Sequence, residues 1–182
     1  MHNMMAGNAT THDLALHDFQ MQIFSSPARY KVVAAGRRCG KSFVACVMAL
    51  DQATSKPDQR VLMIGPTYGQ ASEAFWSTLK TLCHPSWLAR PPMEGALELK
   101  FLNGSVISLK GADRPDTLRG ISPSPTRIIL DEYSFFKAKV FEEVIFPMTN
   151  DPVRKADMLI ISTPKGIGNH FYDFWQQGQS TD

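Results

Sequence analysis

Cysteine is scarce in this chain and unpatterned: Cys39, Cys46 and Cys83 are odd in number, and two of them lie close together. A disulfide framework needs pairs, so reduced thiols of an intracellular protein are expected. The five histidines, His2, His12, His17, His84 and His170, lack paired Cys/His ligand spacing, which argues against a structural metal site. No apolar run reaches the roughly 20 residues of a membrane-spanning helix. The polar start, Met1 to Thr11, has no apolar centre of the kind a signal peptide requires. The expectation is a soluble protein that is not secreted and has no membrane partner. An excess of either charge is also missing, with 19 Lys and Arg against 17 Asp and Glu. That balance neither demands nor excludes nucleic acid. No internal repeat or low-complexity tract interrupts the chain. What remains is ordinary globular composition, 43% hydrophobic over 182 residues, enough for one well-buried domain and too little for two.

The most informative segment is Ala35-Gly36-Arg37-Arg38-Cys39-Gly40-Lys41-Ser42. It joins an apolar run, Tyr30 to Ala35, that reads as a buried strand, to another, Phe43 to Leu50, that reads as a buried helix. Nucleotide phosphates need converging backbone N–H groups, a cation at the β/γ oxygens and a hydroxyl for Mg²⁺. A tight turn opening a helix, followed by Lys41 and Ser42, offers all three. The spacing departs from G-x-x-x-x-G-K-[ST] in placing Ala35 at the first glycine. Read blandly, the segment is a strand-to-helix turn with exposed Arg37, Arg38 and Lys41.

Further along, strand-like and helix-like segments alternate, the pattern of a mainly parallel sheet flanked by helices. Residues 60–64 predict a central strand and 70–82 a helix. Leu97, Leu99 and Phe101 alternate with Glu98 and Lys100 ahead of Asn103-Gly104, which predicts an antiparallel hairpin at the sheet's edge. Residues 111–126 read as a long loop, and 127–131 and 156–162 as buried strands. A last helix is expected over 168–177.

Ile128-Ile129-Leu130-Asp131-Glu132 drives an apolar strand through the core and ends in two carboxylates, where ligands bind in open α/β sheets. Downstream of a phosphate loop, Asp131 is placed to hold Mg²⁺ with Ser42, and Glu132 to orient and deprotonate a water. Alone, such a pair is as well explained as a helix N-terminal charge or a solvated turn. Ser162-Thr163-Pro164 closes a third strand end. It is either a turn capping the next helix or a sensor of the γ-phosphate.

Together these motifs resemble the ATPase domain of the large terminase subunit, the motor that packages DNA into tailed-phage heads, over residues 16–175. The resemblance implies a P-loop NTPase of the ASCE type, with Mg-ATP as its cofactor and phosphates cradled by Gly36, Arg37, Arg38, Cys39, Gly40, Lys41 and Ser42. It implies that Gln20, in Leu16 to Gln22, reads adenine, as an amide that donates and accepts is suited to do. It implies that Ser162 and Thr163 couple hydrolysis to motion. Arg119, in Thr117-Leu118-Arg119-Gly120, resembles an arginine finger sent into a neighbouring subunit, with Arg37 the rival acting in cis. Double-stranded DNA, a portal protein, a small terminase subunit and a homo-oligomeric ring on the procapsid, in the host cytoplasm, are the implied partners and place.

The implied organisation is an N-terminal segment, 1–26, carrying the glutamine, and an ATPase core, 27–182. The family's C-terminal nuclease domain is expected to be absent. No carboxylate cluster is left for two-metal cleavage once Asp131 and Glu132 are assigned, so no nuclease activity is expected. Tyr133 departs from the family, which usually has a small residue after the carboxylates. Two other classes compete: a helicase-like or remodelling ATPase, which needs a second motor domain, and a nucleotide switch that does not hydrolyse, for which Glu132 has no use.

Overall fold

The computed structural model describes residues 16–179. The start of the chain, including His2, His12 and most of the expected N-terminal segment, lies outside the described residues. Six strands form one sheet in the order β1-β6-β5-β2-β4-β3, with β1 Tyr30–Ala34, β2 Arg60–Gly65, β3 Glu98–Lys100, β4 Val106–Gly111, β5 Arg127–Leu130 and β6 Asp157–Ser162. All neighbours pair in parallel except β3 and β4, which form the expected edge hairpin. Its register sets Leu99 opposite Ile107, and Leu97, Leu99 and Phe101 all turn inward. Gly104 makes the turn at φ +85°, while the Asn103 amide donates to the carbonyls of Ala53 and Lys56 at the end of the preceding helix.

The central strands are apolar on both faces because both faces are covered. Val61, Met63, Ile129, Leu159 and Ile161 point to one side, against helices α1 (Asp18–Ser25), α2 (Lys41–Ser55) and α4 (Ser77–Leu82). Leu62, Ile64, Ile128, Leu130, Met158 and Ile160 point to the other, against Phe141, Val144, Ile145 and Phe171. The period-2 alternation thus divides one run of residues between two cores. β1 is the exception: expected to be buried, it lies at the sheet's edge and is half-exposed.

Several elements depart from the sequence reading. The helix expected over 70–82 begins earlier, as α3 (Tyr68–Ala71), where the Thr67 hydroxyl accepts from the Gln70 N–H. It then passes through a π-helical stretch, Ser72–Trp76, into α4. The loop 111–126 contains a short helix, α5 (Pro115–Arg119), with proline in its first turn, where the missing N–H costs nothing. Between Glu132 and Ala156, where no element is expected, lie α6 (Ala138–Val140), a π-helical stretch, Phe141–Ile145, and a 3₁₀ stretch, Phe146–Asn150. The last helix, α7 (His170–Gln177), starts two residues late. Gly166 and Gly168 take positive φ before it, and the Asn169 side chain caps the N–H groups of Phe171 and Tyr172.

At the end of the sheet away from the phosphate loop, Arg127 forms a two-pronged ion pair with Asp157, at 2.7 and 2.8 Å, and also donates to the Met48 carbonyl. One side chain therefore ties β5, β6 and α2 together.

Candidate active site

Because β1, β6 and β5 are parallel neighbours, their C-terminal ends emerge side by side. The phosphate loop leaves β1, the carboxylate pair leaves β5, and the strand between them delivers Ser162 and Thr163. Ser162 is fully buried. Its carbonyl accepts from the Ala35 N–H at 3.3 Å, and its hydroxyl bonds the Ser134 N–H and Oγ. It pins the entry of the phosphate loop to the turn after the carboxylates.

The loop itself turns on two left-handed residues, Arg38 at φ 63° and Gly40 at φ 77°. Glycine at 40 is doubly required, since a Cβ there would collide with the Gln20 side-chain amide. That amide donates to the Gly40 carbonyl at 3.1 Å, and its oxygen accepts from the His17 N–H at 3.2 Å. Gln20 is buried. It braces the loop from α1, a role its sequence position does not announce. Lys41 opens α2 with its ammonium turned back into the loop, donating to the carbonyls of Ala35 at 2.9 Å and Gly36 at 2.6 Å. The Cys39 thiol rests on the Gly36 carbonyl. Cys46, one turn into the helix, is fully enclosed. Burial, with the nearby Asp131 charge, pushes its thiol far above the usual range.

Ser42 Oγ donates to Asp131 Oδ2 at 3.1 Å, and Asp131 Oδ1 accepts from the Glu132 N–H at 2.9 Å. Burial pushes the Asp131 carboxyl up to about 6, aided by the Glu132 charge and opposed by its hydrogen bonds and Lys41. A buried carboxylate beside a hydroxyl is a pair of hard oxygen donors, and desolvation leaves the carboxylate in want of a cation. These residues fit Mg²⁺, with waters and phosphate oxygens completing the shell.

Glu132 adopts φ 50°, ψ 42°, a conformation costing a non-glycine residue about 1–3 kcal/mol and concentrated at functional sites. The turn carries its carboxylate away from Asp131 to accept from the Thr163 hydroxyl at 3.2 Å. The same hydroxyl accepts from the Lys41 ammonium at 3.5 Å. A chain of contacts thus runs Lys41–Thr163–Glu132, joining the three strand ends.

These groups surround a cleft of about 520 Å³ lined by Arg37, Arg38, Gly40, Lys41, Ser42 and Phe43 on the loop side. Glu132, Phe135, Thr163 and Lys165 line it from the ends of β5 and β6, and Gln70 also reaches it. Arg119 is outside. Its guanidinium is half-exposed on α5, 2.9 Å from Asp116 and 4.0 Å from Glu143. Gln70, Phe135 and Lys165 carry no motif and were not legible as site residues. The extra bulk of Tyr133 is accommodated by burial: its ring packs against Phe136, Phe141, His170 and Phe174. The His170 ring nitrogen meets the Tyr133 carbonyl at 3.1 Å. The cluster anchors the carboxylate turn to α7.

Comparison with known proteins shows the family and the fold. Residues 32–181 match the family model described as terminase large subunit, T4likevirus-type, N-terminal. The large terminase subunit of Thermus phage G20c is 35% identical over 184 residues, covering 89% of this chain and 36% of the relative. The chain therefore spans little more than a third of that protein's length. Among solved structures, the large terminase ATPase domain of Thermus phage P74-26 superposes with a TM-score of 0.71 at 31% identity, over 87% of this chain and 68% of that one. The large terminase of a thermophilic bacteriophage, solved with ATP-γ-S, shares the fold at a TM-score of 0.62 and 15% identity, over 80% of this chain and 37% of that one.

Proposed function

Given that the chain belongs to the terminase large-subunit family and represents its N-terminal ATPase domain, we propose that it hydrolyses Mg-ATP to drive double-stranded viral DNA into a procapsid. The observation that carries this reading is the convergence of Lys41, Ser42, Thr163 and Glu132 on one cleft, with buried Asp131 bonded to Ser42, linked by hydrogen bonds across three strand ends.

In this reading Lys41 exchanges the carbonyls of Ala35 and Gly36 for β- and γ-phosphate oxygens, and Gln20 holds the loop while its amide meets the adenine edge. Ser42 and Asp131 would hold Mg²⁺, which would supply positive charge to the phosphates when bound. Glu132 takes a proton from a water as that oxygen bonds the γ-phosphorus and the bond to the β–γ bridging oxygen breaks. ADP and phosphate leave. Arg37, in the cleft, supplies positive charge in cis, whereas Arg119 serves a neighbour's site. Ser162 and Thr163 pass the change at Glu132 to the loop entry and to Lys41. The partners of this reading are DNA, a portal protein, a small terminase subunit and further copies of the chain in a ring, in the host cytoplasm. Among the described residues no helix is long and apolar enough to cross a membrane.

The test is steady-state phosphate release with Glu132→Gln, which keeps shape and removes the base. The variant is expected to bind Mg-ATP and to hydrolyse it at least about 100-fold more slowly. Hydrolysis at the unsubstituted rate overturns the role of Glu132.

A further inference from the structure

Lys165 lines the cleft from the turn after β6, two residues beyond Thr163. Its ammonium sits on the face of the Phe135 ring, 2.7 Å from the centroid. Phe135 is itself a cleft residue and is 53% exposed. The backbone around Lys165 is lightly held. Gly166 follows at φ +84° with nothing within 4 Å of where a Cβ would stand, and Ile167 is 82% exposed. The Gly166 carbonyl accepts from the Asn169 side chain, within the same turn. Four cationic side chains, Arg37, Arg38, Lys41 and Lys165, line the cleft against one carboxylate, Glu132. That balance suits a polyanion.

We infer that Lys165 is a second phosphate-binding lysine, which contacts the terminal phosphate of a bound nucleoside triphosphate from the β6 end of the cleft. The inference rests on the nucleotide reading of the cleft. Three loop-side cations already face the incoming phosphates from the β1 end. Lys165 comes instead from the β6 end, beside Thr163, whose hydroxyl bonds Glu132 at the end of β5, the residue read as acting at the phosphate farthest from the nucleoside. Its present partner is a ring face, an attraction weaker than a charge-assisted hydrogen bond to phosphate and so readily exchanged for one. Phe135 then acts as a rest position that keeps the ammonium near the cleft and off the Glu132 carboxylate. A diphosphate lacks the group Lys165 binds, which makes this residue a discriminator between substrate and product.

Isothermal titration of the chain with ATP-γ-S and with ADP, each with Mg²⁺, tests this. Lys165→Ala is expected to weaken ATP-γ-S binding about tenfold or more, the scale of one hydrogen bond to a charged group, and to leave ADP affinity within about twofold. Lys165→Arg is expected to restore most of the ATP-γ-S affinity. Equal losses for both nucleotides, or no loss for either in a variant with unchanged circular dichroism, overturn the inference. If the unsubstituted chain binds neither nucleotide, the nucleotide reading falls and the role of Lys165 with it. Intact binding that is insensitive to Lys165 defeats the inference alone.

Discussion

Ser42 and Asp131 stand 89 residues apart in sequence and are joined by a 3.1 Å hydrogen bond from the serine hydroxyl to Oδ2 of the aspartate. The second residue of α2 and the residue that follows β5 therefore meet directly, and the aspartate is buried.

That burial has a measurable pH signature. With its carboxyl raised from 3.8 to about 6, folded Asp131 keeps, between those values, a proton that the unfolded chain has released. Stability is fully present below the unfolded value and falls as pH rises through the folded one. The loss is on the order of 2–3 kcal/mol by pH 7, at about 1.4 kcal/mol per unit. Asp131→Asn has no proton to lose. Without divalent cations, its thermal midpoint is expected to rise relative to the parent between pH 4 and 7, and a constant gap would show an ordinary carboxylate.

Thr163 touches both Lys41 and Glu132, and in the proposed reading its hydroxyl positions the base. Thr163→Val keeps the volume and removes the link. ATP affinity should change by less than about threefold while turnover falls about tenfold or more, a split expected when positioning is lost rather than binding. Thr163→Ser should recover turnover. A fall in affinity with turnover intact would count against the positioning role.

Gln20 has two candidate duties, bracing Gly40 and reading adenine. Gln20→Ala removes the hydrogen bond that a buried amide gives the loop and should weaken ATP binding by about 1 kcal/mol. If the amide also meets the base, competition titrations will show the preference for ATP over GTP narrowing. Equal weakening for both nucleotides would leave Gln20 as a brace only.

Arg119 lies outside its own chain's cleft, paired with Asp116 and near Glu143. Action in a neighbour's site predicts a specific activity that rises with protein concentration. Chains carrying Arg119→Ala and chains carrying Glu132→Gln are each expected to be inactive alone and to regain part of the activity when mixed. If mixing restores nothing where unsubstituted chains assemble and hydrolyse, Arg37 is left as the arginine that acts.

At the far end of the sheet, Arg127→Ala strands Asp157, which is 29% exposed, beside a largely buried gap. The expected cost is about 3 kcal/mol in urea denaturation. Replacing both partners, as Arg127→Met with Asp157→Leu, should cost less than Arg127→Ala alone, because no charge is left unpaired. Equal or greater loss in the double variant would show that the pair itself stabilises the sheet.

The strands and the phosphate loop were legible because their signals are local. An apolar run such as Leu62 to Ile64 fits only a strand covered on both faces, and Gly40-Lys41-Ser42 announces its chemistry in three residues. Asn103-Gly104 likewise fixed a hairpin. The segment from Ala138 to Asn150 was not legible, since it passes through three helical geometries and Pro147 interrupts any single period. The exposure of β1 depends on strand order, which no local run encodes. The hydrogen bonds that assemble the site, Thr163 to Glu132 and Gln20 to Gly40, join residues 31 and 20 apart. Nor does any spacing pair Lys165 with Phe135, because their meeting depends on β6 lying beside β5.

The position of β6 has a consequence for how the protein comes into being. The strand carrying the phosphate loop and the strand carrying the carboxylates are separated by one made after both, Asp157–Ser162. A chain emerging from the ribosome presents Lys41 and Ser42 early and Asp131 much later. Neither can find the other until residues 157–162 fill the gap, and such long-range closure is slow. A nascent chain is thus held without the Ser42–Asp131 contact, and without a finished cleft, until residues 157–162 have been translated.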